Sequence, residues 1–374
     1  MDAGRLDDAE EAKLNMDAWW DGELRGRPVH AFSFPRNDVA QVKFDPWHLA
    51  KHPDDASGFA NLFEAAAACQ VYGGELLPNL HVNYGPGVLA AVLGVEPRFV
   101  KKTVWFDRPT DPTDLLPLLE AARLDSSNEW YARLKRVTEQ LARRATGRYQ
   151  VGVTDLGGVL DVISSFVGPK ALIVEMKRRP GLVDAWRAVV LEKWHRLYDE
   201  LQAIIGQCCD GCNAWLNAWC RRRWYPIQCD FSAMLSPKWF RRFVLPDLEA
   251  QAERLDYSVY HLDGPHELPY LDDLLSLPAL TGIQWVPGAG QPHAGDPKWF
   301  RLYDKVQQAG KNLVISAPPE SVPALYDRLD PRGLYVHCEY PGEVFAEFYL
   351  PRFLGGMGGV DPEESGAEES EEGK

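Results

Sequence analysis

From about residue 80 to residue 340, short apolar runs alternate with longer stretches in which apolar positions recur every three or four residues. Apolar runs closed by glycine, proline or an acid read as strands, and the longer periodic stretches read as helices. Strands are expected at 80–84, 149–154, 214–218, 227–230, 258–262, 282–286, 312–316 and 334–338. Helices are expected at 115–123 with 130–144, 158–166 with 182–205, 237–255, 267–277, 298–309 and 321–329. The link between the third and fourth strands is too short for a helix and is the weakest point of this pattern. Ahead of it lie a helix over 5–25, with Trp19 and Trp20 on its inner side, and a helical, loop-rich stretch from 45 onward. Strands alternating with helices predict an α/β chain, and eight of them predict a (β/α)8 TIM barrel. The expected organisation is an N-terminal helical segment over 1–75 packed on the barrel, the barrel over 76–354, and a disordered acidic tail over 355–374. The rival, an open doubly wound sheet, should carry a glycine-rich phosphate turn after its first strand. Asn83-Tyr84-Gly85-Pro86-Gly87 has a proline inside and lacks the third glycine, so it reads as a structural turn.

The most informative stretch is 257–290, a strand, a helix and a second strand, which predicts a βαβ unit with parallel strands. Residues two apart on a strand share a face, so His261 and Asp263 point the same way at a strand end.

Composition narrows the function classes. The chain has 374 residues, 45% of them hydrophobic, and no apolar run near the roughly 18 residues a membrane span needs. The N-terminus is acidic and lacks an apolar signal core, so a cytoplasmic location is expected. The net charge is −14; residues 361–374 hold seven acids and one lysine, which leaves about −8 for the rest. No basic stripe suggests nucleic acid, and the triplet Arg221-Arg222-Arg223 reads as a local contact with carboxylates or an anion. Seven cysteines, unevenly spread, are not a secreted disulfide framework. Thirteen tryptophans are many, and Trp215, Trp219 and Trp285 fall near strand ends, where they could line a pocket.

In a barrel, chemistry collects where strands end. The polar residues there are Asn83, Tyr84, Asp155, Asn217, Asp230, His261, Asp263, Gln284, Ser316, Cys338 and Glu339. Asp155 could equally cap the helix that follows it. His261, Asp263 and Cys338 offer imidazole, carboxylate and thiolate, a set that suits Zn²⁺ with a fourth position open. The plainer alternative is a buried histidine bonded to a carboxylate, beside an inert core cysteine. His337, one residue from Cys338, should face the other way. Cys209-x-x-Cys212, with Cys208 and Cys220, looks like half a zinc knuckle without its second pair, so packing explains it better.

Val151-Gly152-Val153-Thr154-Asp155-Leu156-Gly157-Gly158 with Asp161, then Cys229-Asp230-Phe231, Ser236-Pro237, His261-Leu262-Asp263-Gly264 and Ile283-Gln284-Trp285-Val286-Pro287-Gly288 resemble the uroporphyrinogen decarboxylase superfamily over about residues 150–350. That superfamily includes cobalamin-dependent methyltransferases, and its fold is the (β/α)8 barrel. The arginine-rich N-terminal motif of the true decarboxylases has no counterpart around Arg25-Gly26-Arg27. The methyltransferase branch binds zinc through His-x-Cys and a later Cys. His261 and Cys338 match that pattern, and Asp263 stands where the middle cysteine would be. Carboxylate transfers less charge to the ion than thiolate, which favours polarising an oxygen substrate or water.

The resemblance implies a methyl-transfer enzyme with zinc on His261, Asp263 and Cys338 and acid/base partners among Asp155, Asp230 and Glu339. Substrate would contact Asn83, Tyr84, Asn217, Trp219, Gln284 and Trp285. The expected partners are a small-molecule substrate, a separate corrinoid protein carrying the cobalamin, and a second copy of the chain. Three alternatives stand beside it: a lyase or decarboxylase of a small organic acid, a carboxylate-based hydrolase of glycosidase type, and a Trp-rich barrel that binds a sugar or a quaternary amine without catalysis.

Overall fold

A computed structural model describes residues 4–5, 8–24, 26–100, 103–105 and 110–344; the acidic tail lies outside the described residues. Twelve strands run in chain order: β1 (Gly4–Arg5), β2 (Val29–Pro35), β3 (Gln70–Gly74), β4 (Asn79–His81), β5 (Arg98–Val100), β6 (Thr103–Trp105), β7 (Gln150–Gly152), β8 (Trp224–Ile227), β9 (Tyr257–Asp263), β10 (Gly282–Val286), β11 (Asn312–Ser316) and β12 (Leu334–Glu339). Eight form one sheet in the order β1-β3-β2-β12-β11-β10-β9-β8, while β4 pairs with β7 and β5 with β6. Within the large sheet only β2 and β3 are antiparallel. The α/β expectation holds, and β9 and β10 are parallel with His261 opposite Gln284. The ladders among the described residues do not close an eight-strand ring.

Two features of the sheet depart from the sequence pattern. The stretch before residue 75, read as helical and loop-rich, contributes β2 and β3, and β2 pairs directly with β12. The expected third strand, 214–218, is a loop. Asn213 bonds the amide of Ala214 with its own side chain, Asn213 and Asn217 bond each other, and Ala218 N–H turns back to the carbonyl of Leu216. Side chains that satisfy the local backbone compete with a strand ladder in this way.

Amphipathic spacing accounts for the helical layer. In Glu129–Ala145 the buried positions Tyr131, Leu134, Thr138, Leu141 and Ala145 repeat at three and four residues. They pack toward the long helix Pro180–Ile205, whose Trp186, Trp194 and Tyr198 are fully buried. The expected helix 237–255 is two, Pro237–Phe243 and Leu245–Glu253; Pro246 lacks the N–H that a continuous helix would use there.

The N-terminal helix, Ala9–Trp20, decides which end of the sheet is available for chemistry. Trp19 and Trp20 are both buried. Trp20 stacks on Tyr257 at 5.1 Å and lies 5.1 Å from Trp224, the first residues of β9 and β8. Trp19 meets Tyr335 of β12 at 5.6 Å. Arg221 of the basic triplet reaches Asp17 of this helix, Arg222 reaches Asp21 at its C-terminal cap, and Arg223 reaches Asp199. The triplet is thus a carboxylate contact that ties the helix across the strand beginnings. The strand ends remain open.

Candidate functional site

His261 and Asp263 close β9 on the face opposite Tyr260 and Leu262, both fully buried. The His261 Nδ1 lies 2.7 Å from the Gln284 Oε1 on the adjacent strand. A carboxamide oxygen only accepts, so this bond puts the proton on Nδ1 and leaves the Nε2 lone pair free. The edge of Trp215 packs on the imidazole at 4.9 Å and 87°, which fixes the ring's second direction.

Asp230 follows β8 and opens a tight turn over Asp230–Met234. Its position is set by Asp161, whose carboxylate accepts the Phe231 amide at 2.7 Å and the Asp230 amide at 3.1 Å. The ligand atoms of Asp230, His261 and Asp263 all lie within 4.8 Å of one another. One imidazole nitrogen and two carboxylates at that spacing can hold a divalent cation.

Glu267, 1% exposed, ties the other side. It accepts from Ser232 Oγ at 2.7 Å, from the Asp263 amide at 3.2 Å and from the Tyr260 hydroxyl at 3.3 Å. Loss of water raises its carboxyl to about 8, helped by Asp230 and Asp161. Burial and the neighbouring Asp230 raise Asp155 to about 6. Asp161 and Asp230 are both raised, chiefly by loss of water and then by neighbouring acids. The site is therefore a set of acids that resist simultaneous ionisation.

Two glycines allow this convergence. Gly157 has φ +78°, and a Cβ there would meet the Gly87 Cα at 2.8 Å, where the 85–88 loop crosses. A Cβ on Gly158 would sit 2.2 Å from the Gln228 carbonyl oxygen and 2.4 Å from the Asp161 carboxylate. Any side chain there would push Asp161 away from the turn it holds. Beside the acids opens a cavity of about 490 Å³, bordered by Asp161, Asp230 and Gln228 and by apolar Val104, Phe231 and Met234.

The structure brings together five of the residues singled out from sequence: Asp155, Asp230, His261, Asp263 and Gln284. Gln284 contacts the imidazole, a positioning role. Cys338 is not in the group. In β12 the pairing sets His337 opposite Ser316 and Ala31, and Cys338 opposite Phe32. Side chains alternate across the sheet, so His337 and Glu339 face a second cavity of about 460 Å³ with Ser33, Tyr72, Asn79 and Asn217. Cys338 lies on the other face, 1% exposed, with its thiol raised to about 12 by burial. The expected opposition of His337 and Cys338 is right, but the inward residue of the two is His337.

Asn83 and Tyr84 anchor loops: Asn83 donates to the Pro46 carbonyl and Tyr84 to that of Pro53. Trp219 is 1% exposed, and its carbonyl accepts from Trp20. Trp285, also 1% exposed, packs on Trp299 at 4.9 Å. It falls on the opposite face from Gln284, as alternation requires. Asp155 is also a turn former, accepting the Gly157 amide at 2.8 Å. Cys212 and Cys220 face each other across a single antiparallel bridge, and Cys212 Sγ donates to the Trp224 carbonyl at 3.3 Å. This is packing around β8, with every cysteine free.

Sequence reasoning passed over Asp161 and Glu267 as site residues. Asp161 sits in the first turn of the helix Val159–Val167 rather than at a strand end, and Glu267 reads as the start of a helix. Their signal was local: an acid three residues after Gly-Gly, and an acid three after the strand-closing glycine.

No family model matches the chain, and no curated protein matches it. Among solved structures it is similar to a methyltransferase from Methanosarcina mazei, with a TM-score of 0.58 and 17% sequence identity. The likeness covers 88% of this chain and 93% of that one. At this identity it is a likeness of fold.

Proposed function

We propose that the chain is a metal-dependent methyl-transfer enzyme acting on a small substrate at the ends of β8, β9 and β10, the two main sheets forming arcs of a (β/α)8 barrel. The observation that carries this reading is the Asp230–His261–Asp263 cluster, with the His261 ring oriented by Gln284. The likeness in fold to a methyltransferase supports the choice of reaction. Asp230 replaces Cys338 in the donor set, and the N/O/O donors fit Zn²⁺ or another divalent ion. Such an ion would supply Lewis acidity toward the substrate's heteroatom.

The chain's own residues would do the rest. His261 offers Nε2, Gln284 holds its tautomer, and Asp161 and Glu267 fix the two loops that carry the carboxylates. Asp155, raised to about 6, can hold or release a proton near neutral pH. The methyl donor or acceptor would be a separate corrinoid protein. A decarboxylase of an organic acid would need basic side chains here, and its one evident source, Arg221–Arg223, is occupied by acids at the opposite end.

A second reading is favoured by the raised Asp161 beside Asp230. One acid held neutral next to a carboxylate is the arrangement of glycosidic hydrolysis.

The test is to supply purified protein with zinc, cob(I)alamin and candidate methylated donors, and to follow methylcobalamin by absorbance while metal content is measured. Methylation that is lost on chelation is the expected result. Protein that stays metal-free in excess zinc and hydrolyses aryl glycosides would overturn the reading in favour of the second.

A further inference from the structure

The cavity of about 460 Å³ at the ends of β12 and β2, beside β3, has a wall of unused polar side chains. Tyr72, Ser33 and Glu339 stand in one row across it. Ser33 is opposite Tyr72 in the β2–β3 ladder and opposite Glu339 in the β12–β2 ladder. Partners across a ladder share a face, and neighbouring strands lie about 4.8 Å apart. A phenol, a hydroxyl and a carboxylate are therefore aligned at strand spacing. One row deeper the same strands offer His337, Ala31 and Gly74, so only the imidazole projects beneath the carboxylate. Among the described residues none of these four polar side chains, Tyr72, Ser33, His337 and Glu339, makes a hydrogen bond or an ion pair.

The other side of the same cavity is apolar. Phe44, from the loop after β2, and Phe63, from the helix Ala56–Ala67, both line it and meet edge-on with ring centres 5.7 Å apart. Such a pair suits a further ring in offset or edge-on contact. The lining contains none of Asp230, His261 and Asp263. Asn217 borders the cavity, while Trp215 of the same loop packs on His261, so the two recesses share a loop and no site residue.

Charge and hydrogen bonding select the ligand. Glu339 is the one acid on the lining, and among the described residues no lysine or arginine lies there. A ligand carboxylate or phosphate would meet a like charge with nothing to balance it. A primary ammonium brings three N–H donors, and the row supplies three acceptors: the carboxylate, the serine oxygen and the phenol oxygen. A quaternary ammonium has no N–H and would leave the row unused. Burial lowers the pKa of His337, so its ring stays neutral near pH 7 and adds no competing positive charge.

We propose that this cavity is a second binding site, for a small primary amine that carries an aromatic ring, with the ammonium on Glu339, Ser33 and Tyr72 and the ring against Phe44 and Phe63. This goes beyond the methyl-transfer reading and does not rest on it, since no residue of the metal-binding cluster takes part.

The experiment is calorimetric titration of the full chain at pH 7 with 2-phenylethylamine, with its neutral counterpart 2-phenylethanol and with phenylacetate. The amine is expected to bind at least about five-fold more tightly than the alcohol, about 1 kcal/mol, the upper range for an ion pair that water still reaches. Phenylacetate is expected not to bind. Glu339→Gln should remove the preference for the amine and leave the alcohol within about two-fold. Glu339 is exposed, so this variant should melt as the wild type does; if it does not, Tyr72→Phe carries the same comparison. Phe44→Ala should weaken amine and alcohol alike. Equal binding of amine and alcohol, no binding of the amine, preference for phenylacetate, or an amine affinity untouched by these substitutions each overturns the proposal. Chelator-treated protein and Asp230→Ala separate it from the metal reading. Amine binding that survives both supports this cavity even if methyl transfer is absent, and amine binding that disappears with the metal overturns it.

Discussion

Glu267→Gln should change the pH dependence of stability in a calculable way. Glu267 is 1% exposed, and its carboxyl is raised from 4.5 to about 8, first by burial. The folded protein therefore holds this proton more tightly than the unfolded chain does. Stability from that proton is fully present below about pH 4.5 and is lost as pH rises through about 8. Each pH unit between the two values is worth about 1.4 kcal/mol, so the full swing is roughly 5 kcal/mol. Between pH 5.5 and 8 it is roughly 3 kcal/mol. An unfolding entropy of about 2.1 cal/mol/K per residue converts that to a Tm change of roughly 4 °C in a chain this long.

Glutamine keeps the contacts. Its carbonyl can take the amide of Asp263 and the hydroxyl of Tyr260, and its N–H can donate to Ser232, which turns to accept. It does not titrate. Below pH 5 the variant should match the wild type within about 1 kcal/mol, the scale of one rearranged hydrogen bond. Its Tm advantage should then grow steadily to pH 8. Thermal melts of both proteins over this range give the difference directly. Parallel curves would refute the reasoning, since Glu267 would then titrate alike in the folded and unfolded states.

Three further outcomes are expected. Asp230→Ala and His261→Ala should each strip most of the divalent metal measured by elemental analysis, while Cys338→Ala keeps it; the reverse pattern would restore the thiolate site. Gln284→Leu should weaken metal affinity about 10- to 100-fold in a competition titration by freeing the imidazole, and unchanged affinity would mean that Trp215 alone orients the ring. Arg187→Ala should cost about 3–5 kcal/mol in urea denaturation, because it leaves Asp247 buried after loss of a two-pronged pair at 2.8 Å, and a loss under 1 kcal/mol would show that water replaces the arginine.

The sequence by itself determined the alternation of strands and helices and the parallel β9–β10 unit, because hydrophobic periodicity and glycine-closed strand ends are local properties. It also determined that His261 and Asp263 share a face, since a period of two needs only the strand. What it could not determine was which face of a distant strand looks inward. Cys338 and His337 are equally good inward candidates until the pairing of β12 with β2 and β11 fixes the register, and a shift of one residue exchanges thiol for imidazole. β2 itself was hidden, because Val29–Pro35 gains its partners only from β12 and β3, strands far away in the chain. Asp161 and Glu267 were hidden for the same reason. Each acts on backbone amides or side chains of other segments, and an acid on a helix looks solvated until the fold places a loop against it. The tertiary structure thus brought Asp230, not Cys338, beside His261 and Asp263 and left the strand-end acids without a basic partner among the described residues.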